Sequence, residues 1–222
     1  MQIFHTFSRR AALALALTIA PLTMGGLGAA RAAGTPAEAF VQTNVQKGFD
    51  ILNNKGLSQA QRDSQFRSFL ESLTDSQRIA NFTLGNAKRS ASPADVAAFT
   101  NAFRDYAFAI YESRLSKYSG QTLTVTGSTE RAPGDFVVTT KMVDPNASQR
   151  QPLEIDFRVS NTGGHFVVID ASVEGVWLAI EERDQFAAFM NDNGGNIQSL
   201  ISHIQQLTQK IRAGGESGQQ GN

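Results

Sequence analysis

A long amphipathic helix that leads almost directly into a β-strand occupies residues 92–125. Ser92 suits the N-cap and Pro93 the first helical position, and Asp95 follows where a capping box places a polar partner. Apolar residues then recur at spacings of three and four, which gives one face of the helix a largely aromatic stripe: Val96, Phe99, Phe103, Tyr106 and Ile110. Past Ser119-Gly120, apolar residues alternate with threonine as in a strand. A helix with so many aromatics that must pack on a sheet predicts either a large core or a large apolar pocket.

Residues 1–32 have the features of a cleaved export signal. Arg9 and Arg10 precede an almost wholly apolar run at residues 11–22, which is shorter than the roughly 20 residues that a membrane-spanning helix needs. Ala30-Arg31-Ala32 supplies the small residues that a signal peptidase reads, so we predict cleavage after Ala32. The arginine pair fits both the general secretory (Sec) route and the twin-arginine route. We therefore expect a soluble mature protein in the periplasm.

The charge balance and the absence of cysteine exclude several functions. Removing the signal takes away three arginines and leaves 17 basic residues against 20 acidic residues. A mildly acidic chain without a basic block is a poor binder of nucleic acids. The chain has no cysteine, which excludes disulfides and thiolate metal sites.

Catalytic motifs are also missing from the sequence. It contains no nucleophile elbow, no zinc-protease helix and no phosphate-binding glycine loop. His165 and His203 fall on different predicted elements, and neither has a carboxylate pattern nearby. The acids Glu181, Glu182 and Asp184 lie near a predicted helix start and fit a solvated or partner-docking face better than an acid/base pair. We therefore expect no metal site and no catalytic residue.

The hydrophobic pattern predicts helices, then strands, then helices again. Helices are predicted at residues 36–53, 58–73, 76–84, 92–118, 177–191 and 196–212, and strands near residues 121–126, 136–142, 153–159 and 165–173. Turn signals at Pro133-Gly134, Asp144-Pro145-Asn146 and residues 161–164 join successive strands into a meander. This order predicts an α+β fold in which helices pack on one face of a curved four-stranded antiparallel sheet. One domain is expected at residues 33–212, with a disordered tail at 213–222.

Two sequence blocks resemble a known family. The first runs from Phe103-Arg104-Asp105-Tyr106 to residues 118–123, and the second covers residues 168–178 and continues into Arg183-Asp184-Gln185-Phe186 and a Gly-Gly loop. In this order and behind an export signal, they resemble the MlaC family, the toluene-tolerance, periplasmic phospholipid-binding proteins. The hopanoid-associated HpnM branch is a near alternative. The resemblance extends over about residues 36–207.

The resemblance implies a carrier without enzymatic activity. Such proteins shuttle a phospholipid between an outer-membrane lipoprotein complex and an inner-membrane ABC transporter with an MCE-domain ring. Their nuclear-transport-factor-like domain encloses the acyl chains, and the lipid is cargo, so no cofactor is implied. Exposing two chains of about 15 methylenes to water costs roughly 25 kcal/mol, so a soluble carrier needs a deep apolar cavity.

The expected lining of that cavity combines the long helix with one strand face and a mouth. The candidate lipid-binding residues are Phe82, Phe99, Phe103, Tyr106, Ile110, Phe136, Val138, Met142 and Phe157, with Val176, Leu178, Phe186 and Phe189 at the mouth. Each of them would equally fill the plain core of any α+β protein. Glu174-Gly175 beside the mouth would either let that edge open or form a turn or bulge.

Two other functions stay open at this point. A small enzyme of related fold would need a buried titratable pair, such as Asp156 or Asp170 beside a histidine or tyrosine. An interaction module would have a filled core. The size and polarity of the cavity discriminate between these functions. A carrier needs a large apolar cavity, an enzyme needs a small polar one, and an interaction module needs no cavity. Partner exchange would use the charged residues 181–184.

Overall fold

The computed structural model describes residues 34–115, 118–146 and 151–214. The predicted export signal and residues 215–222 of the predicted tail lie outside these ranges. The helices are α1 (Pro36–Leu52), α2 (Gln59–Leu73), α3 (Ser76–Leu84), α4 (Pro93–Leu115), α5 (Leu178–Asp192) and α6 (Ile197–Arg212), with a 3₁₀ helix at Gly85–Arg89. The strands are β1 (Thr122–Ala132), β2 (Asp135–Val143), β3 (Leu153–Thr162), β4 (His165–Val173) and β5 (Val176–Trp177). The predicted α+β class is confirmed.

The strands form one antiparallel meander in the order β1-β2-β3-β4-β5. The prediction of four strands was wrong, because Val176 and Trp177 pair with the end of β4 instead of starting a helix. The reason lies in Glu174 and Gly175, whose φ angles of 50° and 80° are both positive. Two consecutive residues with positive φ make the tight turn that a two-residue hairpin requires.

Polar side chains cap the starts of several helices, including the predicted cap at Ser92. At α4, the Ser92 hydroxyl accepts a hydrogen bond from the Asp95 amide at 3.1 Å. Ser58 and Gln61 form a reciprocal capping box at α2, and Asp75 and Asn196 cap α3 and α6. Each cap satisfies amide groups that the first turn of a helix leaves without a partner.

Two separate hydrophobic cores hold the fold together. In the sheet core, α1 packs on β2 and β3 through Ala37 and Val41 against Val138 and Val159. In the helical core, α3, α4, α5 and α6 meet around fully buried side chains that include Phe99, Leu200 and Ile204. Burying each such side chain stabilises the fold by about 1.5–3 kcal/mol. The space between these two cores is where the candidate site lies.

The link from α2 to α3 joins the two cores at the edge of the sheet. Thr74 forms a parallel bridge with Val168 of β4, and the Asp75 amide donates to the Val168 carbonyl at 3.4 Å. This contact fixes the C-terminal end of α2 beside β4.

Among the described residues, no helix has both the length and the apolar character that crossing a membrane requires.

Candidate functional site

A cavity of about 240 Å³ lies between the helical core and the sheet core. Six elements build its walls: the C-terminal end of α2, the start of α3, the C-terminal half of α4, strands β3 and β4, and the first turns of α5. Its apolar lining includes Leu70, Leu73, Ile79, Phe103, Ala107, Phe108, Ile110, Phe157, Val168 and Leu178. The cavity therefore lies where the apolar faces of the helices and the sheet do not pack directly against each other.

The size of this cavity sets it apart from ordinary packing defects. Protein interiors have few voids larger than a water molecule. An apolar cavity of about 150 Å³ is already enough to bind benzene, and this one measures about 240 Å³. Its walls lose the dispersion contacts that a filled core would make. The fold thus keeps an apolar space that a ligand of matching chemistry can occupy.

Five of the residues predicted to contact a ligand do line the cavity. They are Phe103, Tyr106 and Ile110 on α4, Phe157 on β3 and Leu178 at the start of α5. The structure brings them together from three elements that are distant in sequence. The aromatic stripe of α4 therefore forms part of the cavity wall.

The other eight predicted residues lie elsewhere. Phe99 and Phe186 are buried in the helical core, and Phe136 and Val138 belong to the sheet core beneath α1. Phe82 and Val176 are exposed, and Phe189 stacks on His203 with 4.2 Å between the ring centres. Met142, near the end of β2, is half-buried outside the cavity lining.

Several lining residues were missed from the sequence. Ala107 and Phe108 lie beside the predicted stripe of α4, and Leu70 and Leu73 belong to α2, which reads as an ordinary amphipathic helix. The register of α2 against α4 decides which leucines face the cavity, and that register depends on tertiary packing. The apolar spacing on α2 was the only sequence feature that could have indicated that these leucines line a cavity.

Helix α2 is the least strongly held wall of the cavity. All residues of α2 are described, and none of them is fully buried. Arg67 connects α2 to α4 by ion pairs of 3.6 Å with Asp105 and 3.5 Å with Glu112, and its guanidinium lies 4.7 Å from the ring centre of Phe108. Partly exposed ion pairs contribute only about 0–1 kcal/mol each. The body of α2 is accordingly held less strongly than the walls that come from the two cores, although its end is attached to β4 by the Thr74 bridge.

A buried carboxyl group occupies one part of the predominantly apolar lining. Glu182 of α5 is only 6% exposed, and the Tyr106 hydroxyl donates to its Oε1 atom at 3.2 Å. Asp170 on β4 also lines the cavity and accepts hydrogen bonds from the amides of Ala171 and Ala179 at 2.8 and 3.0 Å. The site therefore combines apolar walls with a carboxyl–phenol pair.

The prediction that Glu182 lies on a solvated face was wrong. Ala179, Glu182, Phe186 and Met190 are the buried residues of α5, at the spacing of three and four that defines one helix face. Glu181 and Asp184 are exposed, as expected. Arg183 pairs with Asp184 at 2.8 Å, while its guanidinium lies over the exposed ring of Phe82.

Burial changes the acidity of this pair. Desolvation raises the pKa of Glu182 to about 7, an effect that the Tyr106 hydrogen bond partly offsets and the Glu181 charge reinforces. Burial and the neighbouring Glu182 also raise the pKa of Tyr106. Burial raises the pKa of Asp170 despite its two backbone hydrogen bonds. Both cavity carboxyls thus favour the uncharged form more than exposed acids do.

The Glu182→Gln variant should reveal this burial as a change in stability with pH. Because the folded-state pKa of Glu182 is raised to about 7, the folded protein binds this proton more tightly than the unfolded chain does. Wild-type stability therefore falls as pH rises from about 4.5 to about 7, by about 2–3 kcal/mol for this group. Glutamine keeps the shape and never ionises, so the variant should gain that amount relative to wild type between about pH 5 and about pH 8.5. Chemical denaturation at both pH values measures the free energy of unfolding of the variant and of wild type. If the variant differs from wild type by the same amount at both pH values, the raised pKa of Glu182 is contradicted.

The structure brings together only some of the residues that a small enzyme of this fold would need. Asp156 accepts a hydrogen bond from the Ser172 hydroxyl at 3.0 Å and is not part of the cavity lining. His165 lies at the exposed start of β4, and His203 stacks on Phe189. Within the described ranges, no group of three or more histidine or acidic side chains is placed to hold a metal ion.

Comparison with known proteins agrees with this architecture. The family model described as the MlaC protein matches residues 42–206 of the chain. The structure is also similar to that of a phospholipid-binding protein from Ralstonia solanacearum, solved in complex with a phospholipid. That match has a TM-score of 0.70 at 20% sequence identity, and it covers 80% of this chain and 99% of the other. At this identity the structural similarity establishes the fold.

Proposed function

This chain belongs to the MlaC family, and we propose that it is a phospholipid carrier that holds acyl chains in the cavity between its two cores. The observation that carries the proposal is the cavity itself, a mostly apolar space of about 240 Å³ between helices and sheet. The Ralstonia protein of the same fold was solved with a phospholipid bound. A head group left in water needs no dedicated charged site, which fits the apolar lining.

The energy of lipid transfer explains why such a cavity is needed. Each methylene removed from water contributes about 0.8 kcal/mol, so two chains of about 15 methylenes represent roughly 25 kcal/mol. The cavity is smaller than the about 300–1,000 Å³ of typical sites for small organic ligands. Loading therefore requires the cavity to widen, and α2, which contributes Leu70 and Leu73, is the wall we expect to move.

The proposed roles of the predicted lipid-binding residues follow from their positions. Five of them contact the acyl chains directly: Phe103, Tyr106, Ile110, Phe157 and Leu178. Phe99, Phe136, Val138 and Phe186 support the walls from within the two cores. The exposed Phe82 and Val176 lie on the outer surface near Arg183 and β5, where contact with partners takes place.

The cellular role that we propose is the family's shuttle between membranes. Residues 1–32 act as the export signal, residues 33–212 as the lipid-binding domain and residues 213–222 as a tail. The carrier exchanges phospholipid in the periplasm with an outer-membrane lipoprotein complex and with an inner-membrane ABC transporter that has an MCE-domain ring. A hopanoid or another apolar lipid is the alternative cargo, because the lining recognises hydrocarbon rather than a head group.

Lipid transfer between vesicles tests the carrier function. Donor vesicles contain a fluorescent phospholipid and a quencher, and acceptor vesicles contain neither. We expect the mature protein to accelerate the appearance of fluorescence in the acceptors in proportion to its concentration, because it shields the acyl chains during transit. A rate equal to that without protein would contradict the proposal. Extraction of the lipids afterwards should recover intact phospholipid, whereas free fatty acid and lysolipid would favour the enzyme.

A further inference from the structure

Glu182 is a group that phospholipid binding by itself does not require. The acyl chains need apolar walls, and the head group is solvated by water outside the cavity. Nevertheless, Glu182 lines the cavity and is only 6% exposed. Placing an ionisable carboxyl in such surroundings costs free energy unless it gives up its charge or finds partners. A role linked to its proton would account for its position.

Charged and titratable groups surround this carboxyl from three elements. From α4, the Tyr106 hydroxyl donates to Glu182 Oε1 at 3.2 Å. Asp170 on β4 shares the cavity lining, and Glu181 on α5 acts on Glu182 through its charge. The remaining groups that line the cavity from α4 are Arg104, Tyr111 and Arg114. The charge of Glu181 disfavours a charge on Glu182, whereas the hydrogen bond from Tyr106 favours it.

Filling the cavity with hydrocarbon must change the solvation of this carboxyl. Water that enters the cavity raises the dielectric constant around this carboxyl, although the Oε2 atom itself has almost no accessible surface. Acyl chains displace that water and offer no hydrogen bonds, so the charged form becomes more costly while the neutral form is little affected. Lipid and proton therefore favour each other's binding, and thermodynamic linkage makes the effect reciprocal.

We propose that Glu182 couples lipid binding to proton uptake, its carboxyl taking up a proton as acyl chains fill the cavity and releasing it as the cavity empties. This inference rests on the proposed carrier function and adds a regulatory property to the same site. It makes Glu182 a residue that tunes affinity for the cargo without contacting the head group.

The acidity of the group places this coupling near neutral pH. Burial raises the pKa of Glu182 to about 7. If lipid raises it by about one further unit, affinity is constant at acidic pH and weakens above neutrality. The dissociation constant then rises about sevenfold from about pH 6 to about pH 8.5. In the same case about half a proton is taken up per lipid bound at about pH 7.5.

Binding measurements at several pH values test the coupling. The probe is a phosphatidylcholine with a fluorescent acyl chain, because its choline and phosphate groups do not titrate in this range. Dissociation constants are measured for the mature wild-type protein at about pH 6 and about pH 8.5. Calorimetry in two buffers of different ionisation enthalpy gives the number of protons taken up. We expect the sevenfold weakening and the fractional proton in wild type.

Matched variants separate Glu182 from its neighbours. Glu182→Gln should bind with the same affinity at both pH values and take up no proton, while Glu181→Gln, which removes a charge that raises the pKa of Glu182, should move the pH midpoint slightly downward and keep the coupling. Tyr106→Phe removes a hydrogen bond that favours the carboxylate, so it should move the pH midpoint upward and keep the coupling. It also provides a folded test if the glutamine variant fails to fold.

The possible failures have different meanings. Wild type that binds phosphatidylcholine with one affinity at all pH values and without proton uptake would overturn the coupling alone. The same conclusion follows if Glu182→Gln keeps the wild-type pH dependence, or if Tyr106→Phe leaves the midpoint unchanged. Wild type that binds no lipid at any pH would overturn the carrier function from which the inference starts.

Discussion

Replacing Ala107 by tryptophan is expected to weaken phospholipid binding at least tenfold while the protein stays folded. Ala107 lies on the cavity wall of α4, between Tyr106 and Phe108, which also line it. An indole projecting from this position occupies space that the acyl chains need. If it excludes two to four methylenes, the loss is about 1.6–3.2 kcal/mol, which corresponds to roughly 15- to 200-fold in affinity.

The same substitution should have little effect on stability. Inserting a large side chain into a packed core usually costs about 1–3 kcal/mol because neighbours must shift. At Ala107 the indole enters an existing cavity and gains apolar contacts there. Thermal unfolding followed by circular dichroism is expected to show a midpoint close to that of wild type. Binding and stability thus respond differently, as expected for a ligand site and not for filled core.

Ala98→Trp is the matched control for this substitution. Ala98 lies on the same helix, is exposed and is not part of the cavity lining. The change in side chain is identical, so any general effect of a new tryptophan on α4 appears in both variants. We expect the control to bind phospholipid like wild type. Equal binding by Ala107→Trp and wild type would show that acyl chains do not occupy this cavity.

Replacing Phe99 by alanine is expected to lower the free energy of unfolding by about 3–5 kcal/mol. Phe99 is 0% exposed, and its ring centre lies 6.1 Å from that of Phe103 and 5.8 Å from that of Phe186. The substitution removes a large buried side chain and leaves a void that the helical core can close only in part. Against a typical total of about 5–15 kcal/mol, this is a large loss.

Phe157→Ala is the informative companion to this variant. Phe157 is half-buried and already borders the cavity, so its removal creates less new void and should destabilise less than Phe99→Ala. Denaturant unfolding monitored by the fluorescence of Trp177, the single tryptophan, measures both. Molecules of Phe99→Ala that remain folded should still bind lipid. A loss below about 1 kcal/mol for Phe99→Ala would contradict its assignment to the helical core.

The sequence was sufficient for most of the fold because local signals agree with it. Capping residues such as Ser92 and turn residues such as Pro133-Gly134 act over a few residues, and their effect does not depend on distant packing. The short strand β5 was missed for the opposite reason. Trp177 continues the apolar pattern of the following helix, and only its pairing with Ser172 of β4 shows that it is extended.

The cavity was harder to predict than the fold. Phe99 and Phe103 lie one turn apart on the same helix face, yet only Phe103 lines the cavity while Phe99 is enclosed in the core. Both positions give the same hydrophobic pattern, because a core and an apolar ligand site use the same side chains. What separates them is how closely α2 and the sheet approach α4, which is a property of tertiary packing.

Glu182 could have been identified from the sequence. Its spacing of three from Ala179 and four from Phe186 places it on the apolar face of α5, and a charged residue on such a face indicates a special environment. Its spacing was overlooked because the two acidic residues beside it, Glu181 and Asp184, suggested one continuous charged surface. Reading each acid by its position on the helix, and not by its neighbours in sequence, distinguishes them.

Native mass spectrometry of the mature protein purified from a bacterial periplasm tests the central claim most directly. We predict a mass above that of the polypeptide by one phospholipid, with the added mass released into organic solvent. Ala107→Trp prepared in the same way should lose most of this mass, and Ala98→Trp should keep it. Wild-type protein that shows only the polypeptide mass, even after exposure to phospholipid vesicles, would contradict the conclusion that this cavity carries lipid.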